Sequence, residues 1–172
     1  LASISVFSAA INEKVKRIIF CSSMARYGNS KTPFTEDMEP TPVDPYGISK
    51  VAAEKVLMNL CELNNVEYVI AVPHNIIGPR QRYDDPFRNV ISIILNRMLQ
   101  GNAPIIYGDG EQQRCFSYID DCLQCMLPML DQENLNKKII NIGPDEESIT
   151  INKVVEICSN LTGFNSSPIY KK

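Results

Sequence analysis

Residues 15–28 read Val-Lys-Arg-Ile-Ile-Phe-Cys-Ser-Ser-Met-Ala-Arg-Tyr-Gly, and residues 44–50 read Asp-Pro-Tyr-Gly-Ile-Ser-Lys. The first stretch opens with β-branched and aromatic residues, which predicts a short buried strand ending at Cys21. The second opens with an aspartate before a proline, the preferred N-cap and first residue of a helix. An apolar stripe continues this helix to Leu63. A strand, a long polar loop and a helix in this order indicate an α/β arrangement.

Strand-like and helix-like segments alternate through the rest of the chain. We predict helices at residues 1–11, 87–100, 119–130 and 150–161, and strands at 66–72, 105–107, 114–118 and 138–142. Gly101 ends one of these helices, and Thr150 caps another. This alternation predicts an α/β fold built on a mostly parallel sheet.

Composition excludes several classes of protein. The chain has 172 residues, 44% hydrophobic and 22% charged, which is typical of a globular domain. A net charge of −3 without a dense basic run argues against nucleic acid or an anionic membrane as the partner. No stretch approaches the roughly 18 apolar residues that a spanning helix needs.

Six cysteines favour a reducing, cytoplasmic location. Most of them lie in apolar runs, and no secretory signal is recognised, so we expect buried, reduced thiols rather than disulfides. Cys122 and Cys125 form a CxxC pair, but no second pair or clustered histidine accompanies it. Zinc or redox chemistry is the alternative, and we expect no metal site.

The spacing of Tyr46 and Lys50 is the first chemical signal. Residues four apart on a helix project from one face. A phenol ionises near pH 10, about three units too high for a base at neutral pH, but a neighbouring cation favours the phenolate. Such a tyrosine can take a proton from a hydroxyl group and return it. A Tyr/Lys pair can equally be an exposed helix face without chemistry.

A second signal precedes this helix. Ser22 and Ser23 follow a predicted strand, and the carboxyl ends of parallel strands are where open α/β sheets bind ligands. A plain serine turn is the alternative. The combination of Ser-Ser, Tyr-Gly, a proline-rich loop and Pro-Tyr-x-x-x-Lys is much more specific than either part.

With these motifs the sequence resembles the extended short-chain dehydrogenase/reductase family, the NAD-dependent sugar-nucleotide epimerases and dehydratases. The resemblance covers essentially the whole chain, in the family's order. The matching segments are 15–28, Pro33-Phe-Thr-Glu36, Pro45-Tyr-Gly-Ile-Ser-Lys50, His74-Asn-Ile-Ile-Gly-Pro-Arg-Gln81 and Ile105-Ile-Tyr-Gly-Asp-Gly-Glu-Gln-Gln-Arg-Cys-Phe-Ser-Tyr-Ile-Asp-Asp121.

The resemblance implies a partial Rossmann-type, doubly wound parallel sheet. The family begins with a Gly-rich turn that binds the NAD pyrophosphate, and no G-x-x-G-x-x-G occurs here. We therefore expect a fragment truncated at both ends. Residues 1–75 would be the C-terminal half of the NAD-binding domain. Residues 76–172 would be a mixed substrate-binding region with returning Rossmann elements.

The resemblance also assigns roles to residues near the NAD. Ser23 would hydrogen-bond the reacting hydroxyl, Tyr46 would be the base and then the acid, and Lys50 would favour the phenolate and hold the nicotinamide ribose. The remaining predicted NAD-binding residues are Cys21, Ser22, Pro73 and His74. His74, the only histidine, has a hydrogen-bonded structural role as the alternative.

Six further residues are predicted to bind the nucleotide sugar. Asn75 and Arg114 would reach the diphosphate, for which a guanidinium fork is well suited. Asn89 and Val90 align with a helix start whose N–H groups and dipole favour phosphate. Ile106 and Tyr107 would line the base. For Arg114 the alternative is a surface charge.

The residues after Ser23 bear on the reaction. In the family, 4,6-dehydratases place Asp-Glu there, and decarboxylases have a glutamate two positions before the Tyr-Gly. This chain has Met24 and Ala25, which cannot transfer protons, so the resemblance implies 4-epimerisation of a UDP-hexose through a 4-keto sugar. The alternatives are another reductase or dehydratase of the family, or a non-catalytic relative.

Two more expectations come from the resemblance. Arg26 stands where the family usually has a small apolar residue, so packing or specificity should differ around it. The helices at 1–11 and 45–63 match those that pair in family homodimers, so we expect a homodimer of the intact protein.

Overall fold

The computed structural model describes residues 2–84, 89–144 and 148–172. The α-helices are α1 Ala2–Asn12, α2 Pro45–Asn64, α3 Val90–Leu99, α4 Ile119–Met126 and α5 Ile151–Thr162. The strands are β1 Arg17–Cys21, β2 Glu67–Pro73, β3 Ile76–Ile77, β4 Ile105–Tyr107, β5 Gln113–Arg114, β6 Ser117–Tyr118, β7 Lys138–Ile142, β8 Ile149–Thr150 and β9 Ile169–Lys171. Short 3-10 helices lie at Met24–Tyr27, Leu127–Leu130 and Glu133–Leu135.

The first of two units comprises Leu1–His74 and Asp120–Ile142. Its parallel sheet has the order β1-β2-β7, with Phe20 opposite Ile70 and Ile70 opposite Ile139. The middle strand, β2, is buried from Tyr68 to Val72, as expected of a nearly continuous apolar run in a parallel sheet. This arrangement confirms the predicted α/β class.

Helices α1 and α2 cover this sheet through apolar side chains. The core cluster of the unit includes Phe7 from α1, Leu57 and Cys61 from α2, and Tyr68 from β2. Tyr27 joins the same cluster and stacks on Phe34 with ring centroids 4.8 Å apart. The turn after β1 is therefore part of the core.

The second unit comprises Asn75–Ile119 and Gly143–Lys172. Helices α3 and α5 share an apolar cluster that contains Ile94, Met98 and Val154. Three two-stranded sheets accompany them: parallel β3-β6, parallel β4-β9 and antiparallel β5-β8.

Helix ends agree best with the predictions from sequence. The Asp44 carboxylate accepts a 2.6 Å hydrogen bond from the Gly47 amide at the start of α2. Thr150 caps α5 through a 3.1 Å bond from the Lys153 amide, and Gly163 ends that helix in a left-handed conformation. Side-chain caps are local features, which explains why sequence located them.

Three predictions need correction. The single strand expected at 114–118 is two strands, because Arg114 pairs with β8 while Ser117 and Tyr118 pair with β3. The helix expected at 119–130 changes to 3-10 geometry at Leu127, next to Pro128. The helix expected from residue 87 begins at Val90, and Phe87 itself lies outside the described residues.

Cysteine burial is divided. Cys61, Cys122 and Cys158 are buried, whereas Cys21 and Cys125 are exposed. Burial raises the pKa of the Cys61 and Cys158 thiols above their ordinary value of 9.0.

Across residues 2–84, 89–144 and 148–172, none of the helices combines the length and apolar character needed to cross a membrane.

Candidate functional site

The first turn of α2 holds Tyr46 and Lys50. The Asp44 cap and Pro45 fix where the helix begins, and Tyr46 is 55% exposed. The Lys50 ammonium lies 5.7 Å from the centre of that ring and donates a 2.8 Å hydrogen bond to the carbonyl oxygen of Cys21. The predicted pair therefore forms, at the carboxyl end of β1.

Ser23 caps the 3-10 helix that follows β1. Its hydroxyl oxygen accepts a 3.2 Å hydrogen bond from the Ala25 amide, and its carbonyl accepts a 3.0 Å bond from the Arg26 amide. In the part of the chain that the structure describes, the Ser23 hydroxyl has no acceptor for its own proton. That proton is available for a ligand.

The Ser23 turn and the start of α2 are in direct contact. A Cβ added to Gly47 would lie 2.7 Å from the Ala25 carbonyl oxygen and 3.0 Å from the Pro42 Cβ. Only a residue without a side chain allows this approach. Ser23 and Tyr46 thus belong to segments that touch.

A buried polar network lies beside this contact, and sequence analysis missed it. The Glu54 carboxylate binds Arg26 through a 3.2 Å ion pair and accepts a hydrogen bond from the Ser22 hydroxyl. Arg26 also donates to the Tyr27 hydroxyl at 3.1 Å, and Tyr27 donates to Asn141 at 2.8 Å. The one available signal was Arg26, a charged residue at a position that is usually apolar.

Other predicted NAD-binding residues lie at the ends of β1 and β2. Ser22 is buried, and its amide donates a 2.7 Å hydrogen bond to the Ala71 carbonyl. Pro73 pairs with Ile142 in register, and the His74 amide donates to the Ile142 carbonyl at 2.9 Å. All these groups lie at the carboxyl edge of the sheet, where a doubly wound fold binds its ligand.

Predicted substrate residues Asn75, Asn89 and Val90 lie in the second unit. The side-chain nitrogen of Asn75 donates a 3.0 Å hydrogen bond to the Cys115 carbonyl oxygen. Asn89 caps α3, because its side-chain oxygen accepts from the Ile91 amide at 3.1 Å, while its nitrogen donates to the Ile76 carbonyl at 3.2 Å. Asn89 therefore shapes the start of α3, where Val90 is the first helical residue.

Ile106, Tyr107 and Arg114 differ in exposure. Along β4, Ile106 is 1% exposed and packs in the apolar cluster of the second unit, whereas Tyr107 is 68% exposed. Successive strand residues face opposite sides of a sheet, so of these two residues it is Tyr107 whose side chain is accessible to a ligand. Arg114 is exposed on β5, and its guanidinium donates to the Gln113 carbonyl at 2.7 Å.

Among residues 2–84, 89–144 and 148–172, no group of three or more His, Cys, Asp or Glu side chains is placed to hold a metal ion. In the first unit the candidate site has the hydroxyl groups of Ser23 and Tyr46 and the ammonium group of Lys50, which suit the hydroxyls of a ligand. The second unit separately carries the Arg114 guanidinium, which suits phosphate.

Comparison with known proteins agrees with this chemistry. Residues 1–143 match the sequence model described as "NAD dependent epimerase/dehydratase family". The solved UDP-N-acetylglucosamine 4-epimerase from Methanobrevibacter ruminantium M1, in complex with UDP-N-acetylmuramic acid, is 33% identical. It superposes with a TM-score of 0.91 over 99% of this chain and 55% of that one.

Two further proteins show the range of the similarity. The UDP-glucuronic acid 4-epimerase from Bacillus cereus, solved with NAD, is 27% identical with a TM-score of 0.89, over 100% of this chain and 55% of that one. A UDP-N-acetyl-alpha-D-glucosaminuronate decarboxylase from Bacillus cytotoxicus is 32% identical over 96% of this chain and 52% of the relative. The chain spans about half the length of the curated relatives it matches.

Proposed function

The chain belongs to the NAD dependent epimerase/dehydratase family, and on that premise we propose that the full-length protein is a UDP-hexose 4-epimerase that uses NAD. The observation that carries the proposal is the arrangement on α2. Lys50 is hydrogen-bonded to the end of β1 beside the exposed Tyr46, and Gly47 touches the turn that Ser23 caps. A phenol, an ammonium group and a hydroxyl at one edge of the sheet support the roles of proton acceptor, cation and hydrogen-bond donor in this proposal.

The residues present fit the nicotinamide end of NAD. Lys50 uses one N–H bond for Cys21 and, within the described residues, has two left for ribose hydroxyls. Cys21, Ser22, Pro73 and His74 surround the same strand ends and would contact the cofactor. NAD, when bound, supplies the acceptor and later the donor of a hydride for the sugar carbon.

In the proposed reaction, side chains of this chain carry out the proton transfer. Tyr46 takes the proton of the sugar C4 hydroxyl and later returns it to the oxygen of the 4-keto sugar. Lys50 stabilises the phenolate, and the Ser23 hydroxyl donates a hydrogen bond to the reacting oxygen while keeping its proton. Binding of the nucleotide diphosphate is assigned to Asn75, Arg114 and the start of α3, with Tyr107 against the base.

Epimerisation is preferred to elimination or decarboxylation because of two side chains. Relatives with different reactions are about equally similar to this chain, so overall identity does not separate the reactions. Met24 packs against the apolar core of the first unit, and Ala25 has only a methyl group. Neither can serve as the additional acid or base that loss of water requires.

The proposal extends to a cytoplasmic homodimer. Helices α1 and α2 carry exposed apolar side chains, among them Val6 on α1 and Ile48 and Leu63 on α2. Burying such side chains against a second copy would remove them from water. Light scattering of the full-length protein at micromolar concentration tests this assembly, and a monomer would contradict it.

The reaction is tested by product analysis. The full-length protein is incubated with NAD and a set of UDP-hexoses, UDP-hexosamines and UDP-hexuronic acids, and the sugars are followed by proton NMR. We expect each accepted substrate to equilibrate with its C4 epimer, without release of CO2 or water. Formation of a 4-keto-6-deoxy sugar or a pentose as the main product would overturn the assignment.

A further inference from the structure

Glu54 holds the residues on both sides of Ser23. One carboxylate oxygen accepts the hydrogen bond of the Ser22 hydroxyl, and the other binds the Arg26 guanidinium at 3.2 Å. Between these two attachments, the Ser23 oxygen atoms accept the Ala25 and Arg26 amides. Glu54 therefore attaches the chain on both sides of Ser23 to α2, in addition to the Lys50 bond to Cys21.

Burial makes this attachment rigid. The side chains of Arg26 and Glu54 are each 3% exposed, so water cannot compete for their hydrogen bonds. Arg26 is held from a second direction by Tyr27, which is anchored to Asn141 on β7. The buried Nε of Arg26 has no hydrogen-bond partner within the described chain, so the pair is not optimal for stability.

A purely structural explanation is weak for such a pair. Buried ion pairs often contribute no more stability than apolar residues of the same size, and their better-attested use is to select one geometry. Here the selected geometry relates the Ser23 turn to the helix that carries Tyr46 and Lys50. Glu54 follows Lys50 by one helical turn, as Lys50 follows Tyr46, so these three side chains share one side of α2.

We propose that Glu54 and Arg26 are positioning residues that hold the Ser23 hydroxyl in its reactive place relative to Tyr46. The inference rests on the proposed 4-epimerase reaction, in which Ser23 binds the reacting oxygen. Misplacement by about 1 Å can cost on the order of 100-fold in rate. The pair should therefore affect kcat and leave the binding of the nucleotide part unchanged.

Arg17 and Glu67 provide a matched control. The Arg17 side chain is 4% exposed and donates to Glu67, whose side chain is 27% exposed, at 2.7 Å. This pair lies at the opposite end of β1 and β2 from Ser23. Glu67→Gln removes the same charge beside a buried arginine without touching the turn. We compare it with Glu54→Gln and with the neutral double variant Arg26→Met/Glu54→Gln, which leaves no unpaired buried charge.

A double-mutant cycle separates positioning from stability. We expect Glu54→Gln and the neutral double variant to lower kcat roughly 10- to 100-fold, with KM within about threefold of the parent. In a Ser23→Ala background the same changes should lower kcat less than twofold further, because Ser23 is the group through which they act. Equal losses in both backgrounds would overturn the proposal.

A second readout does not depend on activity. Hydrogen exchange of the Ala25 and Arg26 amides should be at least tenfold faster in both Glu54 variants, and unchanged in Glu67→Gln. Unchanged exchange in the Glu54 variants would overturn the positioning role. If the parent converts no nucleotide sugar, the proposed reaction fails, and the exchange result alone decides whether Glu54 positions Ser23.

Discussion

The ammonium group of Lys50 donates a 2.8 Å hydrogen bond to the carbonyl oxygen of Cys21, the last residue of β1. The same ammonium lies 5.1 Å from the centre of the Phe20 ring and 5.7 Å from that of Tyr46. Lys50 therefore joins the carboxyl edge of the sheet to the first turn of α2. A ligand at this edge meets both segments together.

Tyr46→Phe tests the proton transfer. The substitution removes only the hydroxyl, so we expect turnover of the UDP-sugar to fall by about 10²–10⁴-fold while UDP binding changes little. Steady-state rates and a UDP titration measure the two effects. The control is Tyr170→Phe, which removes an exposed hydroxyl that donates to Asn152. Full activity of the Tyr46 variant would exclude this residue from the mechanism.

Arg114→Ala tests the diphosphate contact. Its exposed guanidinium has room for two phosphate oxygens, and the contact is expected in ground and transition states alike. We expect UDP binding to weaken by about 1.5–3 kcal/mol, measured by calorimetry. The control is Lys153→Ala, which removes an exposed positive charge from α5 and should leave the affinity for UDP unchanged. Unchanged affinity of the Arg114 variant would make that residue a surface charge.

Gly28→Ala tests the close packing of the turn after the 3-10 helix. Gly28 has φ +52°, and an added Cβ would lie 1.9 Å from the Thr41 carbonyl oxygen. Gly163 also has a positive φ of +69° but open space around it. Strain alone costs Gly163→Ala about 1–2 kcal/mol. We expect urea denaturation to show a further loss of about 1–3 kcal/mol for Gly28→Ala; equal losses would contradict this packing.

The free energy of unfolding should decrease at alkaline pH. Burial raises the pKa of the Cys61 and Cys158 thiols above 9.0, and burial with the neighbouring Glu62 raises the pKa of the Tyr68 hydroxyl above 10.0. Above these ordinary values the unfolded chain loses protons that the folded chain keeps, so the free energy of unfolding decreases as pH rises.

Thermal unfolding between pH 7.5 and 10 measures this effect. We expect Tm to fall with rising pH, and to fall less steeply in Cys61→Ala, even though that variant is less stable at pH 7.5. A Cys125→Ala variant should keep the slope of the parent, because Cys125 is exposed. Identical slopes for all three proteins would contradict the assignment to buried thiols.

Local signals explain which elements sequence could predict. The caps at Asp44 and Thr150 act within one helical turn, and the apolar run of β2 is buried by any parallel sheet that contains it. The division of residues 113–118 into two strands depends on partners far along the chain, β8 and β3. No local pattern carries that information.

In the candidate site, too, sequence predicted the local features and missed the long-range contacts. The spacing of Tyr46 and Lys50 identified the pair directly, because both lie on one helix. Glu54 and Arg26 are 28 positions apart and meet only in the folded chain. Arg26 was recognisable as unusual, but its partner was not.

The position of β7 has a consequence for synthesis of the protein. Its residues pair with β2, Ile139 lying opposite Ile70, although the segment Asn75–Ile119 of the second unit comes between them in the chain. At 5–20 residues per second, the ribosome adds the residues between β2 and β7 in about 3–13 s. During that interval one side of the middle strand of a nascent chain has open N–H and C=O groups, which can pair with other chains. The nascent polypeptide is therefore open to such pairing between the emergence of β2 and that of Ile142.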